Sequence, residues 1–97
     1  MSNITQFTTG GVKSIQFGTY TPAGGGGNTA ITISSINPAK AVVTLNGGYI
    51  HSYDSYACDL PYVVSLAATT LTVHGAHFYN GSAWGGQTTS WQIVEYY

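Results

Sequence analysis

The segment Ser90-Trp91-Gln92-Ile93-Val94-Glu95-Tyr96, near the end of the chain, decides the fold class. In an extended chain its odd-numbered large side chains, Trp91, Ile93 and Glu95, lie on one face. A period of two is the pattern of a β-strand that buries one face and leaves the other exposed. The sequence therefore predicts a strand over Ser90–Tyr96, with Trp91 packed in the core.

The rest of the chain has the same character, because Thr, Val, Ile and Tyr dominate the segments between glycine clusters, and these residues favour strands. No window of eleven residues has good helical periodicity without a β-branched run or a glycine that breaks it. Further strands are predicted at Val12–Thr21, Thr29–Ile36 and Lys40–Asn46, with a hairpin inside Tyr62–Phe78. The spacing of the turns predicts an all-β fold: a single antiparallel β-sandwich of six short strands. Residues 1–11 are predicted to be a polar N-terminal arm, and residues 12–97 to be the sandwich domain.

Alternation within these strands assigns side chains to faces. Ile31 and Ile33 are predicted to point inward, and Ala41, Val43 and Leu45 to share one face. In the first strand the alternation separates two sets of residues without saying which set is buried. One set is Ile15, Phe17 and Thr19, and the other is Ser14, Gln16 and Gly18.

Charge is unusually scarce in this chain. Only 5% of its 97 residues are charged, for a net charge of −1, whereas about 25% is usual in soluble domains. Two interpretations follow: a neutral surface of Ser, Thr, Asn and Gly that is soluble alone, or a surface covered by other copies of the chain. Obligate interfaces are apolar and poor in charge, which favours the second interpretation and predicts a homo-oligomer.

Composition also excludes several partners and compartments. Two basic residues cannot neutralise the several phosphates on which nucleic-acid affinity depends. No apolar run approaches the ~20 residues that cross a bilayer, so no membrane insertion is expected. The N-terminus lacks the basic and apolar regions of a secretory signal, which indicates synthesis in a cytoplasm. The single Cys58 excludes an internal disulfide and a thiolate metal cluster, and is expected to be a small buried residue.

The order of several segments resembles small virion proteins of tailed bacteriophages. The resemblance rests on Gly11–Gln16, Ile36–Asn46, Thr70–Val73 and Ser90–Tyr96. The same order is similar to H-type lectin-like domains, which are six-stranded sandwiches that form trimers and in which a final strand containing Ser-Trp crosses the core. The resemblance implies a homotrimer within a virion, as part of a tail fibre, tail tip, collar or capsid decoration. Other virion proteins are then the expected partners.

Catalysis is not expected, because there is no Gly-x-Ser-x-Gly elbow, and the only carboxylates are Asp54, Asp59 and Glu95. No cofactor and no metal site are predicted. His74 and His77, three apart on one strand, would point to opposite faces. They are expected to be surface or hydrogen-bonded histidines, although one histidine from each of three chains could meet a zinc ion on a trimer axis. Calcium held by Asp54 and Asp59 is a weaker alternative, because that loop lacks enough oxygen ligands.

The best candidate binding surface is the aromatic and polar stretch from Tyr49 to Tyr56, together with Trp84 in a glycine-flanked loop. Tyrosine and serine supply contact area at low entropic cost, as in protein-binding loops. Flat rings also stack on sugar faces, while Asp, Ser and His hydrogen-bond to hydroxyl groups. The stretch is therefore interpreted as a protein interface or, alternatively, as a contact with a host-surface glycan. The candidate residues are Tyr49, His51, Tyr53, Asp54, Tyr56 and Trp84.

Overall fold

The computed structural model describes residues 11–22, 27–47, 57–58, 60–75, 77–79 and 84–97, and for Ala57, Cys58, Phe78 and Trp84 only the backbone. These residues form nine strands and one short 3₁₀ helix, Pro38–Lys40. The strands are β1 Val12–Tyr20, β2 Asn28–Thr32, β3 Ala41–Gly47, β4 Ala57–Cys58, β5 Tyr62–Leu66, β6 Thr70–His74, β7 His77–Tyr79, β8 Trp84–Gly86 and β9 Thr89–Tyr96. Among the described residues, no helix has the length and apolar character that a membrane span requires.

The two larger sheets are antiparallel and enclose one core, which confirms the all-β sandwich. The first sheet has the order β1-β9-β3, and the second has the order β2-β6-β5. The short strands β4, β7 and β8 make a third small sheet, also antiparallel. The described residues thus hold nine strands where six were expected, because two- and three-residue strands leave no alternation to read.

The last strand is the centre of the first sheet, with β1 on one side and β3 on the other. Its predicted pattern is confirmed, since Trp91, Ile93 and Glu95 are all buried. On the same face β3 contributes Val43 and Leu45, which pack against the core. The prediction that they share one face with Ala41 is confirmed. The core cluster draws on the first sheet, the second sheet and the connection after β2, and comprises Tyr20, Ile33, Ile36, Leu71, Val73, Trp91 and Ile93.

The second strand ends at Thr32, four residues earlier than predicted. Beyond it, the chain turns toward the tip of the β5–β6 hairpin, where Ile33 N donates to Thr69 O at 3.1 Å and Ile36 N donates to Ala68 O at 2.9 Å. Both isoleucines are buried. The alternation of apolar residues therefore extends beyond β2 to Ile33. The segment after Thr32 is not a strand, because its backbone amides bond to a turn and not to a neighbouring strand.

The predicted hairpin is present as β5 and β6, closed by a bond from Ala67 N to Thr70 O of 2.8 Å. The second arm ends at His74 because Gly75 takes a φ of 103°, a conformation that favours glycine. A Cβ atom at Gly75 would also overlap the carbonyl oxygen of Leu60. His77 therefore begins a different strand, β7, in the small sheet.

Candidate interaction surface

The outer face of the first sheet is the side that points away from the core. Strand pairing aligns its side chains in three rows, each crossing β1, β9 and β3. The outer face is defined here by these rows: Ile15, Val94 and Val42; Phe17, Gln92 and Thr44; Thr19, Ser90 and Asn46. Since alternate residues point to opposite sides of a sheet, these nine side chains share one surface.

Large apolar groups stand uncovered on this outer face. Phe17 is 77% exposed, Val42 55% and Ile15 54%. None of the nine residues is ionisable. Single exposed apolar residues are ordinary, but a group of them on one face marks an interaction surface.

The side chains that β9 presents on the buried side explain why the apolar residues of β1 point outward. On the buried side, Gly18 leaves room for the indole of Trp91, because a Cβ atom there would lie 2.8 Å from Cζ2 of the ring. Ser14, on the same side, hydrogen-bonds to Glu95. With the inner positions occupied by Ser14, Gln16 and Gly18, the alternation places Ile15 and Phe17 on the outer face.

An open depression of about 510 Å³ lies on this sheet. Its lining combines one exposed aromatic ring with neutral hydroxyl and amide side chains, and comprises Phe17, Gly18, Thr19, Thr44, Asn46, Ser90, Trp91 and Gln92. The volume is within the range of ~300–1,000 Å³ that ligand pockets occupy. Such a surface can receive either a neutral polar molecule or side chains of another protein.

Glu95 is a buried carboxylate on the opposite, inner face, only 3% exposed. Its Oε2 accepts from Asn37 N at 2.8 Å, and its Oε1 accepts from Ser14 Oγ at 2.9 Å. Lys13 Nζ lies 3.9 Å from Oε2. The bond from the Asn37 backbone is the main cause that lowers the pKa of Glu95 below its ordinary value of 4.5; Ser14 and Lys13 lower it further, and burial opposes them. With its partners in place, this carboxylate fastens β9 to β1 and to the start of the 3₁₀ helix.

The two histidines are closer than the sequence suggested. Their rings lie 5.4 Å apart between centroids, because Gly75 separates them onto different strands. The expectation that they point to opposite faces of one strand was therefore wrong. His77 is 1% exposed, and His74 Nδ1 is 2.7 Å from Asn28 Oδ1. Among the described residues, no group of three or more His, Cys, Asp and Glu side chains converges as a metal site would.

The predicted binding stretch lies outside the described residues: Tyr49, His51, Tyr53, Asp54 and Tyr56 all belong to the segment between β3 and β4. For Trp84, only the backbone is described, at the start of β8. Their proposed role stays a prediction. The outer face was missed at the sequence level, although neighbouring apolar pairs such as Val42-Val43 and Ile93-Val94 indicated that the sheet carries apolar groups on both sides.

Comparisons of the chain with protein-family models, with curated proteins and with solved structures find no match. Function must therefore be inferred from the composition of the chain and from the chemistry of its surfaces.

Proposed function

We propose that this chain is a non-enzymatic structural protein of a bacteriophage virion that works as a homo-oligomer, with three copies in the assembly. It would serve as an interaction module in a tail fibre, tail tip, collar or capsid decoration. The outer face of the first sheet carries the proposal, because it combines exposed apolar groups with a complete lack of charge. These are the properties of surfaces that permanent partners cover.

A threefold arrangement suits the width of this outer face. Three strands span ~14 Å, because neighbouring strands lie ~4.8 Å apart. If three such sheets form the sides of a triangle around an axis, each sheet lies ~4 Å from that axis. In ordinary face-to-face packing two sheets lie ~10 Å apart, so each sheet lies ~5 Å from the plane midway between them. This distance is close to the ~4 Å between each sheet and the axis. The side chains of three outer faces would therefore fill the space around the axis without a large void.

The assignment to a virion is supported by sequence resemblance. The segments Ile36–Asn46, Thr70–Val73 and Ser90–Tyr96 resemble those of small virion proteins of tailed bacteriophages. The buried Trp91 and Ile93 of β9 support the proposal, because the resemblance implies a final Ser-Trp strand that crosses the core. In this proposal the chain is made in the host cytoplasm and acts within the particle, alongside other virion proteins.

Sedimentation equilibrium of the purified chain tests the proposal most directly. We expect a mass of three chains at micromolar concentration, and co-purification with tails or capsids from an infected culture. A species that stays a single chain at high concentration would overturn the oligomeric part. Stable homotrimers that never associate with particles would overturn the virion assignment.

A glycan-binding module is the second candidate, favoured by the depression beside Phe17. An exposed ring next to hydroxyl and amide groups is suited to a sugar, whose ring has an apolar face and polar edges. Under this alternative the outer face stays open in the assembly. Binding to a glycan array that is lost on Phe17→Ala, with the oligomeric mass unchanged, would support it over the structural role.

A further inference from the structure

The chemistry of the outer face is sorted along the strands. The row of Ile15, Val94 and Val42 is entirely aliphatic. One step along, about 7 Å away, the row of Phe17, Gln92 and Thr44 is mixed. The third row, formed by Thr19, Ser90 and Asn46, carries only hydroxyl and amide side chains.

We infer that copies of this chain meet through the outer face about a symmetry axis parallel to β9, so that β1 of one copy lies against β3 of the next. This inference rests on the proposed homo-oligomer. It specifies which surface is covered, what covers it, and how the copies are oriented.

The sorted rows favour this axis over others. A rotation about an axis parallel to the strands leaves each row at its own height, so aliphatic side chains pack on aliphatic ones. A twofold axis crossing the strands within the contact plane would instead lay the aliphatic row over the polar row. That arrangement would bury Thr19, Ser90 and Asn46 against hydrocarbon, and burying polar groups without partners is costly.

The polar row is also complementary to itself. Hydroxyl and amide groups each donate and accept hydrogen bonds, so identical groups can pair when symmetry brings them together. Charged groups lack this property, because a rotation axis brings like charges to the same place. The absence of ionisable groups from all nine positions therefore fits a second copy of the chain better than a partner recognised by its charge.

The inferred axis has a specific consequence for pairing. Because β1 and β3 flank β9 on opposite sides, the rotation places Ile15 opposite Val42 of the neighbouring copy. Phe17 likewise faces the neighbouring copy's Thr44, in the same row. Within one copy, Phe17 and Thr44 are separated by the width of β9, about 10 Å between their strands, so a direct contact between them forms only across the interface.

Introducing opposite charges at Phe17 and Thr44 tests this pairing, with association measured by sedimentation. Phe17→Lys and Thr44→Glu, each alone, should weaken association at least about tenfold, because each brings unpaired charge into the contact. The double variant should return to within about threefold of the wild-type constant. Both positions are exposed in the single chain, so folding should persist, which circular dichroism checks.

A matched control combines Phe17→Lys with Thr32→Glu, which restores the same net charge from an exposed position on β2 in the other sheet. This variant should stay as weakly associated as Phe17→Lys alone.

A wild-type chain that is monomeric would remove the proposed function itself. A wild-type oligomer that neither single variant weakens would refute the outer face as the interface. Weakening without rescue in the double variant would refute the axis.

Discussion

Gly18 and Trp91 lie directly opposite each other on β1 and β9, and the indole occupies the space that a side chain at Gly18 would need. A Cβ atom at Gly18 would lie 2.8 Å from Cζ2 and 3.0 Å from Nε1 of the ring. Gly18→Ala should therefore displace the buried indole and lower the free energy of unfolding by about 1–3 kcal/mol, as overpacked cores do. Urea denaturation followed by tryptophan fluorescence measures this loss.

Gly27→Ala provides the matched control for that variant. A Cβ atom at Gly27 would meet nothing within 4 Å, and its backbone does not require glycine. Its unfolding free energy should be unchanged or raised by up to about 1 kcal/mol, since alanine restricts the unfolded chain. Equal destabilisation by the two substitutions would contradict the role of Gly18 as space for Trp91.

Glu95 should make the stability of the fold dependent on acid. Its pKa is lowered in the folded chain, chiefly by the bond from Asn37 N, so the unfolded chain binds the proton more readily. The stabilisation is therefore complete above the ordinary value of 4.5 and is lost as the pH falls from there through the lower folded pKa. Urea midpoints recorded between pH 7 and pH 2 should decline over this window.

Glu95→Gln isolates that contribution from the other carboxylates of the chain. The amide keeps the shape of the side chain but removes its charge, so the variant should be less stable than wild type at pH 7 and approach it in strong acid. Lys13→Gln should have a much smaller effect, because Lys13 is exposed and 3.9 Å from the carboxylate. A constant gap between wild type and Glu95→Gln at all pH values would exclude the linkage.

The losses of stability caused by truncating Ile93 and Ile15 should differ in how they depend on protein concentration. Ile93 is fully buried within its own chain, so Ile93→Ala should cost about 2–5 kcal/mol at every concentration. Ile15 is half-exposed and part of the outer face, so Ile15→Ala should destabilise mainly through lost association, which depends on mass action. Thermal unfolding over a hundredfold range of concentration measures both. A concentration-independent loss for Ile15→Ala would count against the outer face as an interface.

The sequence was most informative where strict alternation and burial coincide. In β9 the period of two identified Trp91, Ile93 and Glu95 as the inner face, because a central strand must satisfy the core along its whole length. In β1 the same alternation separated Ile15 and Phe17 from Gly18 without revealing which set is buried. Which set is buried depends on the indole of Trp91 and the carboxylate of Glu95. These side chains face β1 only because β9 pairs with it across a long sequence separation.

Other features depend on interactions that local patterns do not encode. Ile33 continues the alternation of β2 and Ile36 is the next apolar residue, yet their backbone amides bond to Thr69 and Ala68, respectively, in another turn. Gly75 breaks an apparently continuous strand through its positive φ and its contact with the Leu60 carbonyl. The outer face was also not predictable as a patch, because its three rows combine residues from strands that are distant in sequence.

Gln16 should hold the connection after β2 against the first sheet. Its Nε2 donates to Ser34 O at 3.1 Å, and its Oε1 accepts from Ser34 N at 3.0 Å, so the amide replaces a missing ladder partner. Gln16→Leu removes both bonds and should cost about 1–2 kcal/mol, with faster hydrogen exchange at the Ser34 amide. Ser34→Ala keeps the same backbone bonds and should leave stability nearly unchanged. Exchange at residue 34 that is equally slow in wild type and Gln16→Leu would refute this anchoring role.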